Sequence, residues 1–375
     1  MTRIKFTDDF KEQPAVIRVV GMGGAGGNAV NRMIESDVSY VEFMAANTDA
    51  QALRRNLAPV RIQMGERLTK GLGVGGNPNL GRQAAEESED RLREVAQGAD
   101  MLFITAGMGG GTGTGSAPVI ARIAKSLNPS PLVIAAVTRP FQFEGVVRAN
   151  QASAGIEELR PFVDTLLIIP NDKLFEIIDE KTPTLEAYKV ADNVLGQAIR
   201  AIADVITTHG LVNVDFADVK SIMSGAGEAL MGVGTGTGPD RAVSAARQAV
   251  LSPLLENVSI DGAKGVLVNI TGNKNVTMFE VREVMDFIST STSAQSHVFY
   301  GQVFDESLED KLKVTVIATG FPAKAARVAA RANLQAKRSQ PVGVSSGPPL
   351  PSAAPTLDDD LKRPAYLRLR NRKLK

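Results

Sequence analysis

The chain of 375 residues is 43% hydrophobic and 22% charged, which leaves room for two domains with well-buried cores. It has no cysteine and only two histidines, His209 and His297, which excludes disulfides, thiolate metal sites and histidine-built metal centres. No apolar run approaches the roughly 18 residues of a membrane helix, and residues 1–11 lack the apolar stretch of a secretory signal, so a cytoplasmic protein is expected.

After a flexible N-terminus, 1–14, apolar runs at 16–20, 41–46, 101–106, 132–138 and 165–169 predict strands. Each is followed by a polar or glycine-rich loop, at 21–28, 47–49, 107–115, 139–145 and 170–173. Strands alternating with amphipathic stretches predict a parallel sheet, in which such loops share one edge and meet at a ligand. A long helix follows over 183–209, with Thr182 as N-cap, Pro183 in its first position and Gly210 ending it. Its 27 residues would measure about 40 Å, and apolar residues around much of its circumference fit a helix packed between two layers and joining two domains. Strands at 265–271, 298–303 and 313–319 with helices near 240–251 and 277–288 predict a second, smaller α/β domain ending near Phe321. The run 232–238, GVGTGTG, reads as a strand-to-helix loop of that domain. Residues 322–338 are basic, alanine-rich and able to form a helix, and 339–357, with five prolines, predict a flexible linker before a short terminal segment, 358–375. Residues 321–375 carry twelve Lys or Arg against three Asp, net +9, whereas 1–320 carry 30 basic and 38 acidic residues, net −8. A tail of that sign suits an acidic protein or anionic lipid, although it also aids solubility.

The loop after the first strand holds Gly21, Gly23 and Gly26 in dinucleotide-binding spacing, with Asp49 where a ribose-binding acid would sit. Alone this favours a nicotinamide-dependent oxidoreductase. Against it stands GMGGGTGTGSAP at 107–118, which follows a strand and opens a helical pattern. Dense glycines there let successive amides turn inward as an anion nest, Thr112 and Thr114 add hydroxyl donors, and the helix dipole favours negative charge. Two such loops on one edge suit a diphosphate or triphosphate. No GxxxxGK[ST] occurs, so a P-loop enzyme is excluded.

Together with NTDAQAL at 47–53, TKGLGVGGNP at 69–78, PFQFEG at 140–145, IPNDKL at 169–174 and NVDFADV at 213–219, these stretches closely resemble the FtsZ family of tubulin-like division GTPases, from about Ile17 to Gly320. The resemblance implies a tubulin/FtsZ-like α/β fold: a parallel-sheet GTP-binding domain over 15–182, a central helix over 183–210 and a C-terminal GTPase-activating domain over 211–321. It implies GTP and GDP as ligands with magnesium, and Gly24, Ala25, Gly26, Gly27 and Asn28 with Gly110, Gly111, Thr112 and Gly113 as phosphate contacts. Glu144 would lie near the ribose, Arg148 near the nucleotide, and Asn171 and Asp192 on the guanine. Glu144 and Arg148 equally suit a helical ion pair worth about 0.3–0.5 kcal/mol, and Asn171 a turn after Pro170. Asn213, Asp215 and Asp218 match the family's synergy loop, which enters the nucleotide pocket of the next subunit and helps position the attacking water, whereas Asp215 and Asp218 also suit a plain helix start. LKRPAYLRLR at 361–370 resembles the family's partner-binding peptide, with Lys362 and Arg363 where acidic or apolar residues are commoner. The implied partners are further copies in head-to-tail protofilaments, an FtsA-like membrane tether bound through 358–375 and other ring regulators, with no nucleic acid and only indirect membrane contact. A tubulin-like polymer concerned with cell shape or an organelle is the alternative.

Overall fold

The computed structural model describes residues 15–38, 40–179, 181–207, 212–255 and 260–321. The readings of 1–14, of the end of the long helix and of 322–375 lie outside the described residues.

Strand β1 (Ile17–Met22) passes without a linker into helix α1 (Gly23–Glu35), followed by β2 (Glu42–Asn47), α2 (Ala50–Arg54), β3 (Val60–Gln63), α3 (Glu66–Thr69), α4 (Pro78–Glu87) and α5 (Glu89–Ala96). Then come β4 (Met101–Gly107), α6 (Thr112–Lys125), β5 (Leu132–Arg139), α7 (Val146–Leu159), β6 (Thr165–Pro170) and the long α8 (Thr184–Thr207). The remaining elements are α9 (Phe216–Met223), β7 (Gly227–Gly236), α10 (Arg241–Val250), β8 (Gly265–Gly272), α11 (Met278–Ser291), β9 (His297–Phe304) and β10 (Leu312–Thr319). The expected strands recur within one or two residues of their predicted bounds. Helix α8 starts one residue later than expected, because the Pro183 carbonyl already accepts from Ala187 N–H and so marks the boundary.

The ten strands of the described residues form one sheet in the order β3-β2-β1-β4-β5-β6-β7-β10-β8-β9. Strands β1 to β6 are parallel neighbours, with the doubly wound order 3-2-1-4-5-6 and its switch point between β1 and β4. Strand β7 is the junction. Its first residues pair in parallel with Thr165–Leu167 of β6, and the rest runs antiparallel to β10, which is antiparallel to β8. One core, with Val30, Leu195 and Ile199, packs α1 and α8 on one face of the sheet and continues to Met231, Leu267 and Ile317. A second packs α4 to α7 on the other face, and a third lies under α10 and α11.

The run 232–238 corrects its sequence reading. Gly232 to Gly236 are the last five residues of β7, so three of the four glycines of the run are strand, not loop, and Thr237 and Gly238 lie in the connection beyond it. Gly232, Gly234 and Gly236 alternate on one face, and a Cβ there would lie 2.0, 2.1 and 1.9 Å from the carbonyl oxygens of Ala249, Ala245 and Arg241. The absent side chains let α10 lie directly on the strand.

Candidate nucleotide site

Strands β1, β4 and β5 end together, and the loops beyond them enclose a cleft of about 310 Å³ at the switch point. Both flanking helices begin on glycine-rich backbone. Neither α1 nor α6 has a side-chain cap or an acidic residue in its first turn, so the N–H groups that a helix start leaves without partners stay available to an anion. A Cβ on Gly24 or Gly110 would meet nothing within 4 Å, so both backbones border open space. Gly23, at φ +72°, lies so close that a Cβ would come 2.8 Å from the Gly113 nitrogen, which brings the two loops together.

Of the expected phosphate contacts, Gly24, Ala25, Gly110, Gly111, Thr112 and Gly113 line this cleft. Gly27 and Asn28 line an adjoining cleft of about 220 Å³ that shares Gly24 and reaches Asn47 and Asn56. Gly26 lines neither. It is buried where a Cβ would sit 2.3 Å from the Thr105 carbonyl oxygen, so its absent side chain lets α1 pack on β4. Thr114 also departs from expectation: it is buried, and its Oγ1 accepts from Gly109 N–H at 2.9 Å, shaping the loop from within.

Glu144, Arg148, Asn171 and Asp192 all line the main cleft. Glu144 and Arg148 do form the ion pair that their spacing allows, and Glu144 Oε1 also accepts from Phe141 N–H at 3.0 Å. Asn171 is 7% exposed and its Oδ1 has no hydrogen-bond partner, an arrangement that a buried polar atom keeps only at a cost unless a ligand completes it. Burial pushes the Asp192 carboxyl up to about 6, with Arg32 pulling it the other way. Met108 and Pro140, from the loops expected at the ligand, also line the cleft, and so do Thr138 and Tyr188, which sequence reasoning missed. Tyr188 was legible in principle, since it stands four residues before Asp192 and shares its face of α8. Its ring packs edge-on against Phe141, with centroids 5.6 Å apart.

Asn213, Asp215 and Asp218 do not line the cleft. Val214 N–H donates to the Val205 carbonyl, thirteen residues beyond Asp192 on α8 and so about 20 Å along the helix. The helix that follows, α9, ends at the starts of the parallel strands, where Thr165 Oγ1 donates to the Met223 carbonyl at 2.6 Å. The acids therefore stand at the edge of the sheet opposite the cleft. Asp215 occupies the N-cap position of α9, yet its side chain makes no capping hydrogen bond and is exposed. Among the described residues no group of three or more His, Asp or Glu is arranged to hold a metal, and no helix is long and apolar enough to cross a membrane.

Residues 16–179 match the model of the Tubulin/FtsZ family, GTPase domain, and 227–322 that of the FtsZ family, C-terminal domain. An empty FtsZ dimer from M. jannaschii is similar at 44% identity, over 83% of this chain and 89% of that one, with a TM-score of 0.79. Two CetZ proteins from Haloferax volcanii share the fold: CetZ2 as a GTPγS-bound protofilament at 21% identity, over 86% of this chain and 99% of that one (TM-score 0.70), and CetZ1 as a GDP-bound monomer at 22%, with the same coverage (TM-score 0.72). With glycine-built loops at the switch point and both family models matched, the chain belongs to the Tubulin/FtsZ family and is a GTP-binding GTPase.

Proposed function

We propose that this GTPase assembles head to tail into protofilaments of a cytokinetic ring in the cytoplasm, and that each nucleotide is hydrolysed at a junction between two subunits. The observation that carries this is the separation of Asp215 and Asp218 from the cleft by about 20 Å along α8. Acids at the opposite edge reach a nucleotide only when it belongs to the next molecule. The Asp215 carboxylate, free of capping duty, remains able to orient water or take its proton, with Asn213 beside it on the same loop.

Within the cleft the amides of Gly24, Ala25 and Gly110 to Gly113 hold the phosphates, Gly27 and Asn28 lie along the adjoining wall, and Glu144 and Arg148 flank the sugar side. Asn171 and Asp192 receive the guanine, whose adjacent N–H donors complement a carboxylate and an amide oxygen without a partner. Tyr188 offers a ring face to the base. Magnesium fits as an ion that arrives with the phosphates and keeps several waters. When bound, it neutralises charge on the transferring phosphoryl group. A peptide within 358–375, at the end of the +9 tail, docks on a membrane-tethering partner of the FtsA kind.

The test mixes subunits. Asp215→Ala should bind GTP normally, lose roughly 100-fold or more of its hydrolysis, and depress the rate per wild-type subunit when the two are combined. Phosphate release and GTP-dependent sedimentation read both effects. Normal hydrolysis by Asp215→Ala and by Asp218→Ala would reduce the acids to a helix start.

A further inference from the structure

Thr48 is fully buried where the segment after β2 meets the start of α6. Its N–H donates to Asn47 Oδ1 at 2.8 Å, and its carbonyl accepts from Gly73 N–H at 3.2 Å and from Thr69 Oγ1 at 3.4 Å. Its hydroxyl lies 2.7 Å from that of Thr112, in a pair where either could donate.

Two hydroxyls sharing one hydrogen bond place only one of their two protons between them. Their surroundings decide which. Among the described residues Thr48 Oγ1 has no other partner, so if Thr112 donated, the Thr48 proton would be buried without an acceptor. Thr112 lines the open cleft, where its proton finds an acceptor in solvent or ligand. Thr48 is therefore the donor, and the Thr112 proton is left for the cleft.

We propose that Thr48 is a positioning residue for phosphate recognition: by donating to Thr112 Oγ1 it fixes Thr112 as a hydroxyl donor to an anionic phosphate oxygen. The inference rests on the reading of Thr112 as a phosphate contact and assigns the group that sets its polarity. Without Thr48 as donor, the Thr112 hydroxyl is free to turn a lone pair toward the phosphate.

The test compares GTP, GDP and guanosine binding by the full chain. Thr48→Val removes the hydroxyl while keeping the shape, and Thr48→Ser keeps the hydroxyl. Thr48→Val should weaken GTP and GDP binding by roughly tenfold and leave guanosine unchanged, and Thr48→Ser should restore nucleotide affinity to within about twofold. Because Thr48 acts through Thr112, adding Thr48→Val to Thr112→Val should cost nothing further. An equal loss for guanosine, full additivity with Thr112→Val, or a Thr48→Ser variant as weak as Thr48→Val would each overturn the proposal. So would failure of both Thr48→Val and Thr48→Ala to fold while Thr48→Ser folds, since the hydroxyl would then serve the fold. If the wild-type protein binds guanosine as tightly as GTP, the phosphate reading itself fails, a result separate from any outcome at Thr48.

Discussion

The pentapeptide Gly-Thr-Gly-Thr-Gly occurs twice, at 111–115 and at 234–238, and takes different structure each time. The first copy caps and begins α6 at the cleft, and the second ends β7 beneath α10 with Gly234 to Gly236 and leaves the strand at Thr237. In the first, Gly111 and Gly115 let α4 and the segment before it press close, and Thr112 faces the cleft. In the second, Gly234 and Gly236 face a helix and Thr235 is exposed. The flanks decide. Met-Gly-Gly before the first copy and Ser-Ala-Pro-Val-Ile after it allow a turn and then a helix, whereas the second copy continues the strand that precedes it, Gly227 to Val233, as far as Gly236 and is followed by Pro239. Glycine at every second position along a strand signals a helix lying close, whereas glycines in succession signal backbone open to a ligand.

This contrast predicts that substitutions in the two runs fail differently. Gly234→Ala should strongly impair folding, because its Cβ would sit 2.1 Å from the Ala245 carbonyl oxygen and 2.5 Å from the Ala249 nitrogen. Backbone cannot move aside as a side chain can, so a loss of about 3 kcal/mol or more is expected, read as a fall of several degrees in Tm. An unchanged Tm would break the comparison by showing that α10 yields. Gly110→Val should do the reverse. Its Cβ has open space, so melting should stay within about 0.5 kcal/mol of wild type, while GTP affinity falls at least about tenfold, near 1.4 kcal/mol, as the cleft is filled.

The sequence revealed the strands that carry the cleft because β1, β2, β4, β5 and β6 are mostly apolar runs, interrupted by charges only at positions such as Arg18 and Glu42, as covered parallel strands should be. It hid β3, a four-residue edge strand in which Val60 and Arg61 are exposed, and β7, whose glycines mimic a loop. The site residues were legible through the family's motifs rather than through spacing, since Glu144 and Arg148 form the very ion pair that a non-functional reading predicts. Composition and spacing alone could not tell Thr112, which the family motif named, from Thr114, because which hydroxyl faces the cleft depends on how α6 is rotated. Nor could they show Gly26 to be a packing contact.

The cleft should also differ from the second glycine run in responding to pH. If Asp192 receives the guanine as proposed, the base's N–H groups need it ionised, and burial raises its carboxyl to about 6. Guanosine affinity should therefore climb with pH through about 6 and fall by up to about tenfold per unit below it. Guanosine avoids the titration of phosphate. In the empty protein the sign reverses: the folded state holds this proton more tightly than the unfolded chain does, so stability declines as pH rises from about 4 to about 6. Asp192→Asn should flatten both profiles, measured as guanosine titrations and melts against wild type. A wild-type affinity independent of pH between 5 and 7 would mean that Asp192 does not meet the base.

The smallest effect expected separates the second threonines of the two copies. Thr114 Oγ1 accepts from Gly109 N–H, and Gly109, at φ +101°, is pressed against the Arg148 carbonyl, where a Cβ would come within 2.8 Å. The hydrogen bond thus holds the glycine loop of the cleft from behind, between α6 and α7. Thr114→Val leaves a buried N–H without its acceptor, at a cost of about 1 kcal/mol. Part of that cost should appear as a loss of roughly two- to fivefold in GTP and GDP affinity, because the empty loop relaxes and must be reordered on binding. If Thr114 instead touched the phosphate, Thr114→Val would weaken GTP as much as Thr112→Val does, and the two losses would add independently of Gly109. Thr237 makes the matching control. It is exposed at the end of the second copy, so Thr237→Val should alter neither affinity nor stability beyond about 0.5 kcal/mol. Equal effects from the two valine substitutions would erase the distinction between a threonine that shapes the glycine loop of the cleft and one in an exposed connection beyond a strand.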